Sequence, residues 1–168
     1  MGNFVSVPIL LVAVVLQVTL IPQIRLLGGM PDLVFLVVLS WSINTRLEDG
    51  VIWSFVGGIL YDLLSGAPTG TAVLGMLFVV FGISGIGQQV YSIGFLLLAG
   101  AVIVGTIFKQ LVLYFVLTLG GFEVEWIVMI GYVLVPTLIY NIALIAPVYW
   151  FIRGIQKRVI RAKGGFTT

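Results

Sequence analysis

The chain has 168 residues, of which 61% are hydrophobic and only 8% charged, and its net charge is +2. A soluble domain carries about 25% charged residues, so this composition cannot cover a soluble fold and points to a membrane protein. Cys and His are absent, which excludes disulfides, thiolate nucleophiles, His general bases and the usual zinc ligand sets, and the small net charge gives no reason to expect nucleic acid.

A helix needs about 20 apolar residues to cross a bilayer, and hydropathy marks six segments in chain order, at about 4–21, 33–43, 50–64, 71–86, 93–119 and 126–152. Turn residues separate them: Pro22 and Gly28-Gly29, then 44–49, 65–70, Gly87-Gln88-Gln89, and Gly120-Gly121. The expected fold is an all-α integral membrane protein of about six transmembrane helices. It forms a single polytopic domain over 1–168, with a short basic tail from about 153. The second and third segments are short for a full crossing, so one of them is expected to be tilted, broken or enclosed in protein.

The first segment lacks the basic start and small-residue cleavage site of a secretory signal. Its opening MGNFVS fits the acylation pattern at Gly2, but an acyl anchor adds nothing to a span that starts at once. Arg153, Lys157, Arg158, Arg161 and Lys163 cluster at the C-terminus, which places that end in the cytoplasm. Six spans then put the N-terminus there as well, with Arg46 inside and Glu123 and Glu125 outside; Arg25 alone counts against this orientation. Tyr149-Trp150 and Trp126 then fall at the inner and outer interfaces, where aromatic belts sit.

The stretch GGILYDLLSGAPTG (57–70) carries the sharpest question: an acid, Asp62, inside an apolar span. It lies 13 residues after Asp49, so about 20 Å up a helix rising 1.5 Å per residue, in the outer half of the membrane. Gly50, Ser54, Gly58 and Asp62 recur every four residues, with Gly66 continuing the count; such a small-residue face admits a neighbouring helix. Lys109 ends a similar row, Ala101, Gly105, Lys109, at similar depth. Asp32 opens the second span on the same side, where a helix N-terminus suits a carboxylate. Asp62 sits near a helix C-terminus, where the dipole disfavours it, so it needs partners. Lys109 is one candidate, and the N–H groups of the turn at 65–70 are the other. An acid and a base buried at matched depth serve either as a structural pair fixing helix register or as a partner or ligand site.

In the last span Pro136 deprives the Tyr132 carbonyl of its partner and predicts a kink, and Asn141 near mid-membrane is expected to bond across a helix interface. GISGIGQ (82–88) has its glycines in the wrong order for a dinucleotide loop, and no P-loop is present. Nothing in the sequence asks for a cofactor or a metal.

Pro31-Asp32-Leu33 opening the second span resembles the rod shape-determining protein MreD family. So do Glu48-Asp49-Gly50, Gly57-Gly58-Ile59-Leu60-Tyr61-Asp62-Leu63-Leu64-Ser65-Gly66 with Pro68-Thr69-Gly70, and the ending Tyr140-Asn141-Ile142-Ala143-Leu144-Ile145-Ala146-Pro147-Val148-Tyr149. The fourth and fifth spans match in hydropathy alone, so Lys109 inherits nothing. The resemblance implies a non-enzymatic scaffold of the elongasome in the bacterial inner membrane. It implies direct binding to MreC, action through it with MreB and the RodA–PBP2 peptidoglycan synthase, and a fold similar to the six-helix substrate-binding subunits of energy-coupling-factor (ECF) vitamin transporters. Under it, Asp32 and Asp62 are expected to shape the external surface where MreC sits. The alternative is such a vitamin-binding subunit itself. It asks for an outer polar cavity and a small-residue docking face on the first helix, and PILLVAVVLQVTL offers Ala13 alone. A lipid- or quinone-handling enzyme lacks the residues for its chemistry.

Overall fold

The structure, a computed structural model, describes residues 6–25, 28–66, 68, 70–87, 95–123 and 125–164. Gly2, the Gln88-Gln89 break with the end of GISGIGQ, and the last four residues lie outside them, as do the side chains of Trp126, Arg161 and Lys163. Among the described residues there is no strand. The helices are α1 (Ser6–Thr19), α2 (Leu33–Ser42), α3 (Leu47–Ser65), α4 (Thr71–Gly87), α5 (Phe95–Leu119), α6 (Trp126–Met129) and α7 (Val135–Gly164). A 3-10 turn, Ile21–Ile24, follows α1, and a π turn, Ile130–Leu134, joins α6 to α7. Two of the described stretches, Leu96–Leu119 and Ile127–Val159, are long and apolar enough to cross a membrane.

The packing centres on α2. Its sequence, LVFLVVLSWS, is apolar on every side, and a helix without a polar face has to be enclosed. Every residue from Val34 to Ser42 is buried, because α1, α3, α4 and α7 all pack on it, and α5 closes the arc between α4 and α7. The enclosed short segment of the sequence reading is therefore the second; the third extends to 19 residues.

Ten residues span only about 15 Å, and both ends of α2 are met by side chains of neighbouring helices. The orphan backbone groups at those ends must find side chains. At the N-terminus the Leu33 N–H donates to Gln17 of α1 (2.6 Å) and the Phe35 N–H to the Asp32 carboxylate (3.1 Å). At the other end the Trp41 carbonyl accepts from Gln156 of α7 and from Thr45 (3.1 Å each), and Asn44 caps the Ser40 carbonyl. Trp41 stacks on Trp53 of α3, ring centroids 3.9 Å apart.

The outward surfaces are greasy. Leu96 is 86% exposed and Ile127 89%, and Leu63, Phe78, Phe115 and Trp150 are also open. Water would penalise such a surface, whereas acyl chains accept it. Of the expected interfacial pair, Trp150 faces out, but Tyr149 turns inward to hydrogen-bond Asn44 (3.3 Å). Into the basic tail the helix runs on to Gly164 and buries Gln156 as the clamp on α2.

The irregularity expected at Pro136 takes the form of the π turn that ends two residues earlier, in which the Val135 N–H reaches back to the Ile130 carbonyl. The Gly28-Gly29 turn packs against it: a Cβ on Gly29 would lie 2.7–2.8 Å from Pro136, Thr137 and Val133. Only a residue without a side chain fits there.

Candidate functional site

The row Gly50, Ser54, Gly58, Asp62 lies along one side of α3 and is covered by the chain itself. A Cβ on Gly50 would meet Val80 of α4 at 2.9 Å and Ser42 of α2 at 3.0–3.1 Å. Ser54 is fully buried and returns its hydroxyl to the Gly50 carbonyl (2.8 Å). At Gly58 the contact is with backbone: a Cβ would sit 2.6 Å from Val73 Cα. The fifth-span row behaves likewise, since a Cβ on Gly105 would strike the Phe35 ring of α2 at 2.5 Å. Gly66 departs from the row. It adopts a left-handed conformation (φ +68°) that ends α3, with open space around it, so it is a turn residue and not a packing one.

Asp62 is 3% exposed, and among the described residues its bonds go to the start of α4 and the residue before it. One carboxylate oxygen accepts the Gly70 N–H (2.8 Å); the other accepts the Ala72 N–H (3.1 Å) and the Thr71 hydroxyl (3.3 Å). The turn needs Gly70 at φ +100° to aim these donors. Asp62 thus caps the helix after its own, and the N-terminal dipole of α4 offsets the unfavourable end of α3.

Lys109 does not pair with Asp62. Its ammonium is hydrogen-bonded to the Asp32 carboxylate, an ion pair with both side chains mostly buried, and it lies over the Tyr61 ring, 4.7 Å from the centroid. The reason is the position of α4 between α3 and α5. The start of α4 consumes the Asp62 carboxylate, and the Lys109 stem crosses α4 at Gly75, where a Cβ would lie 2.9 Å from Lys109 Cγ. A double-mutant cycle separates the two pairings. Asp32→Asn keeps the helix cap and removes the charge; with Lys109→Met it is expected to show coupling of about 1–3 kcal/mol in thermal unfolding. Asp62→Asn with Lys109→Met should add to within about 0.5 kcal/mol.

Asn141 is fully buried and ties three elements: its carbonyl oxygen accepts the Asp32 N–H (2.8 Å) and its amide donates to Thr106 of α5 (3.0 Å). Gln17 mirrors it from α1, donating to the Pro31 carbonyl (2.9 Å) while accepting from Leu33. The Thr137 hydroxyl lies 3.4 Å from the Met30 N–H, and Tyr140 reaches the Ile24 carbonyl (2.8 Å). The sequence pattern singles out none of Gln17, Gln110 and Tyr114, and Tyr61 only as part of the Gly57–Gly66 motif. Gln17 carried a usable signal as the one amide within the apolar first span. Gln110 and Tyr114, hydrogen-bonded to one another, are one and five positions past Lys109 on α5.

Gln17, Asp32, Tyr61, Lys109, Gln110 and Thr137 gather at one end of the bundle, around the Pro31-Asp32 turn, where they line a cavity of about 420 Å³. At the opposite end Arg153, Lys157 and Arg158 are exposed. A buried acid capping a helix start, small residues where helices touch, and a short enclosed helix held at both ends describe a tightly packed helical bundle. The family model described as rod shape-determining protein MreD matches residues 1–159. The chain belongs to the MreD family. Membership carries rod-shape determination as the role and a membrane as the setting, in keeping with the two helices long enough to cross one and the apolar outer faces. The family is a structural, shape-determining one and is not known for catalysis. No curated protein and no solved structure matches the chain.

Proposed function

We propose that the chain is a non-enzymatic scaffold of the elongasome in the bacterial inner membrane. It binds MreC directly and, through it, supports RodA–PBP2, MreB and peptidoglycan synthesis. The observation that carries this reading is the family match over residues 1–159. The chain crosses the membrane six times with both termini in the cytoplasm, in a bundle like the substrate-binding subunits of ECF transporters. The exposed Arg153, Lys157 and Arg158 at one end, with Asp32, Asp62 and Lys109 at the other, support that orientation.

Asp32 and Asp62 are spent on helix caps and the Lys109 pair, so MreC docks on the exposed apolar flanks and not on these acids. Co-expression with MreC alone tests direct binding. Capture of MreC by the tagged chain, unchanged when Lys109 is replaced by Met in a folded variant, is the expected result. No capture of MreC by a folded chain sinks the reading.

One observation favours a second reading, a vitamin-binding ECF subunit: the cavity beside Asp32 and Lys109 is polar on part of its wall and large enough for a small ligand. Such a subunit co-purifies with paired ATPases and a transmembrane coupling protein in place of MreC.

A further inference from the structure

The cavity at the Asp32 end joins two kinds of surface. Lys109, Asp32 and Gln110 give it charge and hydrogen-bonding groups, while Leu113, Leu117 and Val133 give it an apolar lip. That lip lies where α5 passes the π turn, which it meets far less closely than it meets α7. The Lys109 ammonium has three N–H groups. One goes to Asp32, the Tyr61 ring faces the charge, and the remaining two meet no acceptor among the described residues. A second cation is nearby: Arg25 is exposed and its guanidinium approaches the sulfur of Met30 (3.9 Å), which lines the cavity. Asp62 does not line it, and its carboxylate is held by the α4 start. A buried ammonium with spare donors, a guanidinium beside lining residue Met30 and an apolar wall call for an anionic head on an apolar tail.

We propose that this cavity holds the phosphate headgroup of one membrane phospholipid. The phosphate oxygens take the free Lys109 N–H groups, Arg25 approaches them from beside Met30, and the acyl chains leave over Leu113 and Leu117 into the bilayer. A free phosphate offers the same oxygens without the tail, so the apolar lip is what selects the lipid. The site does not depend on MreC.

Native mass spectrometry and thermal unfolding of the detergent-purified chain test this, with phosphatidylglycerol, phosphatidylethanolamine and inorganic phosphate as probes. One phospholipid is expected to stay bound and to raise the unfolding temperature, while inorganic phosphate has little effect. Lys109→Met should weaken lipid binding at least about tenfold, the scale of one charge-assisted hydrogen bond. Leu117→Trp, which leaves the ion pair in place and fills the exit, should also release the lipid, and it decides the matter if Lys109→Met does not fold. A wild-type chain that retains no phospholipid, or lipid retained equally in Leu117→Trp, overturns the proposal. Protection by inorganic phosphate equal to that by lipid overturns the lipid assignment in favour of a free-anion site.

Discussion

Gly58→Ala is expected to destabilise the protein by about 2–3 kcal/mol, at the upper end of overpacking costs, and Gly58→Leu to prevent it from accumulating folded. The added Cβ would stand 2.6 Å from Val73 Cα and 2.8 Å from Val73 N. A flexible side chain could swing away; backbone cannot, so α3 and α4 must separate. Their separation also draws the α4 start off Asp62, which sits one turn further along α3. Gly82 of α4 and Gly100 of α5 supply the control, because a Cβ at either meets nothing within 4 Å. Gly82→Ala should be neutral or stabilising by up to about 1 kcal/mol, as expected for glycine removed from a helix interior. Thermal unfolding in detergent reads the difference, and equal stability of Gly58→Ala and Gly82→Ala would show that the close approach is not what holds these helices.

Asp62→Ala should cost about 2–4 kcal/mol, because it strips the acceptor from a buried donor, Ala72 N–H, and a half-buried one, Gly70 N–H, the former worth about 1–3 kcal/mol when orphaned. The Thr71 hydroxyl keeps its second acceptor, the Pro68 carbonyl (3.0 Å), and adds little. Asp62→Asn should lose roughly half as much. One amide oxygen still serves one donor, while the NH2 group faces the other. Faster proteolysis in the loop between α3 and α4 should accompany the loss. If Asp62 served an ion or ligand pathway instead, Asp62→Asn would change capture or cell shape while leaving unfolding untouched. That outcome would falsify the capping role.

The sequence shows some of this plainly. The ends of α4 and α5 fall within about two residues of where hydropathy and turn chemistry put them, because Gly-, Pro- and Gln-containing breaks interrupt long apolar segments. The four-residue row on α3 identifies an inward face. Which carboxylate takes Lys109 was not legible. Counting residues along helices gives depth, and Asp32, Asp62 and Lys109 share a depth; the choice depends on α4 lying between α3 and α5, which no local pattern states. Gly75 is unremarkable in the sequence and matters only because the Lys109 stem crosses it. Gln17 and Asn141 became clamps because α2 is short and enclosed by its neighbours, a consequence of packing. Pro136 announced a disturbance, but the π turn that absorbs it depends on the Gly28-Gly29 chain lying against it.

The most direct measurement is affinity purification of the tagged chain from native membranes in mild detergent, with co-purifying proteins identified by mass spectrometry. A scaffold of the rod-elongation machinery brings down MreC together with RodA–PBP2. Paired ATPases with a transmembrane coupling subunit, and no MreC, would contradict the account and make the cavity beside Lys109 a transport pocket.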